Sequence, residues 1–563
     1  MSIAVVGGLP VTSVITLSDG AQRLSVTANE VAICIVNQNV VQGHAFYDFG
    51  DRKQAATIAQ QHGCLEQKAS VSPRKPVYVR SCRCGLAQLP DHRARHMSGQ
   101  ANPGRAERRE GISNTLIWGY GSGNFGLALL GLVVAVNLQF FYTDFVGLSA
   151  GLVAWSLLAA RVFDSLTDPV MGYLSDRTKT RFGRRRPYFF LAAIPLTIAF
   201  YCLFTPPIVE DPENHQGYLL LYMLALYILT YFIWTVAAIP YFSLGAELTD
   251  DYNERLKVIA VRESCALLGL VAATVLPAWL IYAYGGLQGY SFMGGILGGG
   301  VAVFLIFAAI VSRERPDFQG RPAMDPYAGW LATFKNPHFA RLLVSFIFSS
   351  LAAAVPAVLV IYVAVYIIGT PEWWTIMIPG WMPTWSYYLL LYFVSGILSL
   401  PVWDRVSRHI GKRNTWFIAI IISTFTSAGC FWLSEGSIGY FSFILVFGGI
   451  AFGNFLAIPP SMVADVIDWD EVETGKRREG NYFAIWAFTT KLGAAVTGFI
   501  ALQVLEYVGY VPNVPQTETV KTWMLVMYSW FPALCYLISA ITLLRFNFDA
   551  RELSRVQERL NRV

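Results

Sequence analysis

Two aspartates, Asp164 and Asp168, stand in the run Arg161-Val-Phe-Asp164-Ser-Leu-Thr167-Asp168-Pro169, within an otherwise apolar stretch. On a helix, a spacing of four puts both carboxylates on one face. Like charges that close disfavour joint ionisation unless a cation sits with them or one oxygen keeps a proton. With the Thr167 hydroxyl they form a hard-oxygen set suited to a coupling ion, Na+ if not H+. The structural alternative makes Asp168 a helix-end residue before Pro169 and pairs Asp164 with Arg161. Ionisable groups are costly in hydrocarbon, so each needs a reason. Arg262-Glu263 and Lys491, within Phe488-Thr-Thr-Lys491-Leu-Gly493, are further cases. Lys491 stands too deep to snorkel, so it faces a central cavity or pairs with a buried carboxylate. Glu263 points about 100° away from Arg262 and is not expected in the same cavity.

These groups need membrane helices to hold them. Of the 563 residues 55% are hydrophobic and 14% charged, against about 25% charged in soluble domains. From residue 115 onward the chain carries repeated apolar runs of about 20 residues, enough to cross a ~30 Å hydrocarbon core. The fold class is an all-α membrane protein. Twelve transmembrane helices are expected at 114–142, 148–175, 188–207, 217–243, 257–284, 287–312, 339–369, 382–403, 414–434, 438–463, 480–508 and 522–546. Basic residues gather in alternate loops, from Arg177 to Arg186, Arg255 to Lys257, Arg405 to Arg413, and Lys476 to Arg478. The opposite loops carry Asp144, Glu210, Asp211, Glu213, Glu372, Glu435 and Glu518 with a single basic residue, Lys521. The positive-inside rule then places both termini in the cytoplasm, in a cell membrane (the inner membrane if bacterial).

The chain also repeats. Asp176-Arg177, Arg181 and Gly183-Arg184-Arg185 after the second span return as Asp404-Arg405, Arg408 and Gly411-Lys412-Arg413 after the eighth. Two six-helix halves follow, 111–312 and 339–546, with a cytoplasmic linker at 313–338 and a tail at 547–563. Parallel repeats of this kind mark the major facilitator fold, with its solute site between the halves. Gly172, Asp176, Arg177, Asp404 and Arg405 are read as gating residues that tie helix ends on the basic side.

Residues 1–110 are different. They are mixed in polarity and end in an Arg-rich stretch, and they are read as disordered or as an artefact of start-site choice, with translation beginning at Met97. A small soluble domain built on the Val- and Ile-rich stretch from Val11 to Val41 is the alternative. Cys202, Cys265, Cys430 and Cys535 are read as small buried hydrophobes. The spacing of Cys64, Cys82 and Cys84 does not fit zinc. No Gly-x-x-x-x-Gly-Lys-Ser/Thr loop and no Ser/His/Asp constellation occurs. The chain is therefore not read as an enzyme, no cofactor or nucleic-acid partner is expected, and an ion gradient supplies the energy.

Several stretches resemble the glycoside–pentoside–hexuronide:cation symporters, the melibiose-carrier branch of the major facilitator superfamily. They are Tyr142-Thr-Asp144-Phe-Val-Gly147-Leu-Ser149, Asp164-Ser-Leu-Thr-Asp168-Pro169, Asp176-Arg177 through Pro187, Ile239-Pro240, Ala464-Asp465-Val-Ile-Asp468 and Gly509-Tyr-Val-Pro-Asn513-Val. The likeness covers about 112–560. It implies sugar transport by cation-coupled symport, with Asp164, Thr167, Asp168 and Thr235 at the Na+ or H+ site. It also puts Arg262 and Lys491 near the sugar, and Asn124 and Trp486 complete the substrate set. Where melibiose carriers hold acidic sugar ligands this chain has Ala128 and Ala238, and Leu456 replaces an aromatic residue. A pocket that keeps Arg262 and Lys491 but loses those acids is expected to be positive and apolar, favouring an anionic or aryl glycoside such as a uronide. A carrier of an amphipathic or lipid-like solute, or a non-transporting membrane sensor, is the competing reading. The expected partners are a small-molecule solute and membrane lipid, with a monomer as the working unit.

Overall fold

A computed structural model of the chain describes the backbone of five strand segments between residues 2 and 82. It also describes residues 112–546, apart from 179, 250–251, 313, 315–332, 372–373, 375–377 and 475–478. The chain falls into two units, Met1–Arg108 with Leu560–Val563, and Arg109–Arg559. In the first, β1 (Ser2–Val5), β2 (Val31–Asn37), β3 (Val40–Phe46), β4 (Leu65–Gln67) and β5 (Val79–Cys82) form an antiparallel sheet of order β1-β2-β3-β5-β4. These strands occupy part of the segment expected to be disordered or extraneous. Cys64 and Cys84, together with the Arg-rich stretch from Arg93 to Arg109, lie outside the described residues.

The second unit is helical, and its described residues hold twelve helices long and apolar enough to cross a membrane. The N-terminal half is α1 (Asn114–Phe140, continued by a π turn, Phe141–Phe145), α2 (Ala150–Arg177), α3 (Arg186–Leu203), α4 (Gln216–Glu247), α5 (Tyr252–Tyr284) and α6 (Gly286–Val311). The C-terminal half is α7 (Pro337–Val363, with a π turn, Ala364–Ile368), α8 (Thr384–Ile410), α9 (Lys412–Gly429), α10 (Ile438–Thr474), α11 (Glu479–Tyr507) and α12 (Glu518–Leu525, then Val526–Trp530 and Phe531–Leu544). The starts are set by side-chain caps. Ser113, Ser149, Asn336 and Thr517 each accept a hydrogen bond from a backbone N–H in the first turn of α1, α2, α7 and α12.

Three helices run past their apolar spans. α4 continues to Glu247, α8 to Ile410 and α10 to Thr474, each ending in a polar segment. Asp404, Arg405 and Asp465 consequently ride on helices. Close crossings come from small residues. Gly449 and Gly453 of α10 lie directly against the backbone of Tyr392 and Gly396 in α8. Across the halves α1 lies beside α7, α2 beside α11, and α5 beside α8.

Candidate functional site

Asp164 and Asp168 leave α2 one turn apart and meet Thr235 of α4. The buried Thr235 hydroxyl lies 2.6 Å from Asp164 Oδ1 and 3.2 Å from Asp168 Oδ1. Lys491 of α11 crosses from the other half. Its Nζ lies 2.9 Å from Asp164 Oδ2 and 2.5 Å from Asp168 Oδ2. Asp164 is fully buried, whereas 21% of the Asp168 side chain and 15% of Lys491 remain accessible. Solvent therefore reaches the pair through Asp168. Lys491 Nζ also stands 5.3 Å from the ring centre of Trp234, a cation–π contact that steadies the ammonium when it is drawn from water.

The geometry corrects several expectations. The Thr167 hydroxyl donates to the carbonyl of Asp164 at 3.0 Å, the usual back-bond of a helical threonine, and so does not join the carboxylate oxygens. Arg161 is not the partner of Asp164; it lies over the Tyr231 ring at 4.1 Å. Arg262 binds its neighbour Glu263 at 2.5 Å, because a long guanidinium bridges the 100° between adjacent positions. With Lys491 held by two carboxylates, the pocket does not carry the uncompensated positive charge expected from its basic residues. Asn124 is buried and donates to the Arg262 carbonyl at 3.2 Å, which staples α1 to α5. Trp486 stacks on Phe346 with ring centres 3.4 Å apart and is 8% exposed. Ala238 is fully buried, while Leu456 is exposed.

The residues read from the sequence as gating divide in the same way. Asp176 binds Arg185 at 3.0 Å, and Arg184 and Arg185 converge on Glu247 of α4 at 2.5 and 2.6 Å. These contacts brace α2, α3 and α4 inside one half. Arg177 instead lies over Tyr173 at 4.2 Å. Gly172 comes no closer to α4 than ordinary packing against Ile239. In the other half Asp404 pairs along its own exposed helix with Arg408 at 2.8 Å. The inter-helix brace there is Lys412 to Asp465 at 2.7 Å, and Arg405 takes no part in it. Glu314, just past α6, accepts from the backbone N–H groups of Arg184, Arg185 and Arg186 at 2.6, 2.7 and 2.8 Å. That carboxylate caps α3, where the helix dipole favours negative charge.

A second inter-half cluster lies at the opposite end, among residues to which the sequence alone assigns no role. The buried Asp144 carboxylate accepts from Tyr366 in the turn after α7, and Tyr510 OH lies 2.8 and 2.9 Å from its two oxygens. Thr143 Oγ1 meets Tyr362 OH at 2.8 Å, and Asn513 Nδ2 donates to the Asp144 carbonyl. Gln139 donates to the Ala357 carbonyl at 3.1 Å, Gln503 to that of Gly151 at 3.0 Å, and Ser386 Oγ to that of Thr274 at 2.6 Å. The inter-half bonds named here thus gather at the Asp144 end and, through Lys491, at the centre.

Comparison with known proteins agrees with this architecture. A model of the family described as MFS/sugar transport protein matches residues 119–550. The chain belongs to that family. This carrier is 28% identical over 448 residues to the inner membrane symporter YicJ of Escherichia coli (strain K12), spanning 78% of this chain and 94% of that one. It is 25% identical over 472 residues to the isoprimeverose transporter of Lactiplantibacillus pentosus, spanning 81% and 94%. The fold matches the crystal structure of a D-xylose–proton symporter with a TM-score of 0.53 and 17% identity, covering 77% of this chain and 97% of that one. The carrier is therefore a multi-pass membrane transport protein of the major facilitator superfamily, with the two-half helical fold that its internal repeat implies.

Proposed function

We propose that the protein couples entry of a sugar or glycoside to a cation, Na+ or H+, by alternating access between its two halves. The observation that carries this reading is Lys491 of one half bridging Asp164 and Asp168 of the other. A cation entering among Asp164, Asp168 and Thr235 competes with the ammonium for the same oxygens. Its arrival releases Lys491 and loosens the central tie between the halves, so ion occupancy and movement become one event. Solute binds in the cleft beside this site. With the basic loops in the cytoplasm, the Asp144 end, tied between the halves, faces outward. Both termini then lie in the cytoplasm, and a monomer in lipid is the working unit. The pairing of Arg262 with Glu263 and of Lys491 with the aspartates favours an uncharged solute over a uronide. An inter-half charge bridge and membership in a sugar-transport family both weigh against a lipid-like solute and against a sensor.

The test is uptake of a panel of neutral and acidic glycosides by purified protein in proteoliposomes, under imposed Na+ or pH gradients. Accumulation above equilibrium only when one gradient is present is the expected result. Equal uptake with no gradient would overturn the coupling.

A further inference from the structure

From the exposed carboxylate on α5 we infer that Glu263 is a specificity-determining acceptor for solute hydroxyls; this rests on the sugar-carrier reading above. Glu263 and Thr274 are eleven residues apart on α5, three turns that bring them within about 20° of each other around the axis. The carbonyl of Thr274 accepts from Ser386 of α8, in the opposite half, at 2.6 Å. The face of α5 that carries Glu263 is thus the face turned to the other half. The opposite face packs on α1, through Cys265 against Gly121 and Gly269 against the Phe125 carbonyl. Where Thr274 lies, the halves touch; three turns nearer the basic loops, on the same face, Glu263 is 53% exposed. Its carboxylate is therefore accessible on the face of α5 turned to the other half.

The chemistry fits a sugar hydroxyl. Arg262 directs both Nε and Nη2 to the same oxygen, Glu263 Oε1, at 2.9 and 2.5 Å. That pairing fixes the carboxylate while leaving Oε2 for another donor, and it offsets the charge so that no cation is demanded of the solute. The dyad also sits at a suitable distance from the ion site. Arg262 lies 5.2 Å from the Phe242 ring centre, and Phe242 follows Thr235 by seven residues on α4, about 10 Å along the axis. A solute that packs near Trp234 and reaches Glu263 covers a span of one to two sugar rings. Positions 128 of α1 and 238 of α4 are alanines and offer no carboxylate, whereas Glu263 of α5 does.

The experiment uses full-length protein in proteoliposomes and a panel of p-nitrophenyl pyranosides with their monodeoxy analogues, comparing wild type, Glu263→Ala, Glu263→Gln and Glu263→Asp. In wild type, removing one particular hydroxyl should raise KM by roughly 10- to 100-fold, as expected for a hydrogen bond to a charged group. In Glu263→Ala the parent glycoside should show that raised KM, and its advantage over that one deoxy analogue should vanish. Glu263→Asp should restore part of the discrimination, and Glu263→Gln less. The cation titration midpoint without solute should stay within twofold in every variant. If wild type moves none of the panel under a cation gradient, the sugar-carrier reading fails and takes this assignment with it. If wild type transports but Glu263→Ala keeps its KM, or loses affinity equally for the parent and every analogue, the assignment of Glu263 alone is overturned.

Discussion

Replacing Asp164 by Asn is the sharpest probe of the proposed ion site, because it changes one charge and little else. In the native site two carboxylates face one ammonium, so Asp164, Asp168 and Lys491 together carry a net charge of −1. The substitution brings that to zero. The new amide is nearly isosteric and can still accept from Thr235, now 2.6 Å from Asp164 Oδ1. Lys491 retains its 2.5 Å contact to Asp168, so the halves should still meet at the centre. A cation about 4 Å from a unit charge at an effective dielectric of about 20 is held by about 4 kcal/mol, or about three powers of ten in affinity. The expected outcome is a cation midpoint raised by about 1,000-fold, read by Na+ or pH titration of thermal stability and by isotope binding. Gradient-driven accumulation should disappear while slow downhill exchange persists. A midpoint shifted less than tenfold, with accumulation intact, would refute the electrostatic argument.

Lys491→Ala removes the competitor for the same oxygens. Cation binding without solute should tighten by about tenfold or more, while accumulation is lost; weaker binding in the same titration would show that Lys491 supports the ion rather than competing with it. Asp144→Asn weakens the acceptor shared by Tyr366 and Tyr510. Hydrogen bonds to a charged group are worth about 1.5–3 kcal/mol each, so a cysteine placed at Ala357 should react with an impermeant maleimide at least tenfold faster in that background. Gly183→Ala should lower stability by about 1–3 kcal/mol, measured as a depressed Tm. Gly183 has φ +110°, and an added Cβ would come 2.5 Å from Glu314 Oε1. Deleting residues 1–96 should leave uptake by the carrier unchanged in the proteoliposome assay.

The spans, the two-half repeat and the aspartate pair are legible because each leaves a local mark: hydropathy over about 20 residues, a loop motif that recurs, and a spacing of four. Partners are not legible. Nothing local says that Lys491 rather than Arg161 reaches Asp164, since the choice depends on α11 packing beside α2. The 100° between neighbours suggests that Glu263 diverges from Arg262, yet Arg262 is long enough to fold onto it. Asp144, Tyr510 and Asn513 all stand in stretches that carry the family likeness. Their role stays hidden there because an acidic residue at a span's outer end is indistinguishable from a solvated loop charge until Tyr366 is placed above it. The bracing roles of Glu247 and Asp465 stay hidden for a related reason. α4 and α10 extend past their apolar cores, and hydropathy does not register the added turns.

The distribution of charge contacts also explains how one ion could move two halves. On the basic-loop side the braces run within each half, Arg184 and Arg185 to Glu247 and Lys412 to Asp465. They occupy matched places after α2 and α8, so each half is stiffened as a body by the same device. Contacts between halves sit at the centre, through Lys491, and at the Asp144 end. A body braced internally and hinged at one end transmits a change at its centre instead of absorbing it locally. The Asp144 cluster is held by hydrogen bonds of about 1.5–3 kcal/mol each, whereas the Lys491 bridge depends on two carboxylates that, on the proposed mechanism, a single cation occupies. On the proposed mechanism the central tie is therefore the one whose strength the ion sets directly. The outer cluster supplies a closed state that must be weak enough to open once that tie is released.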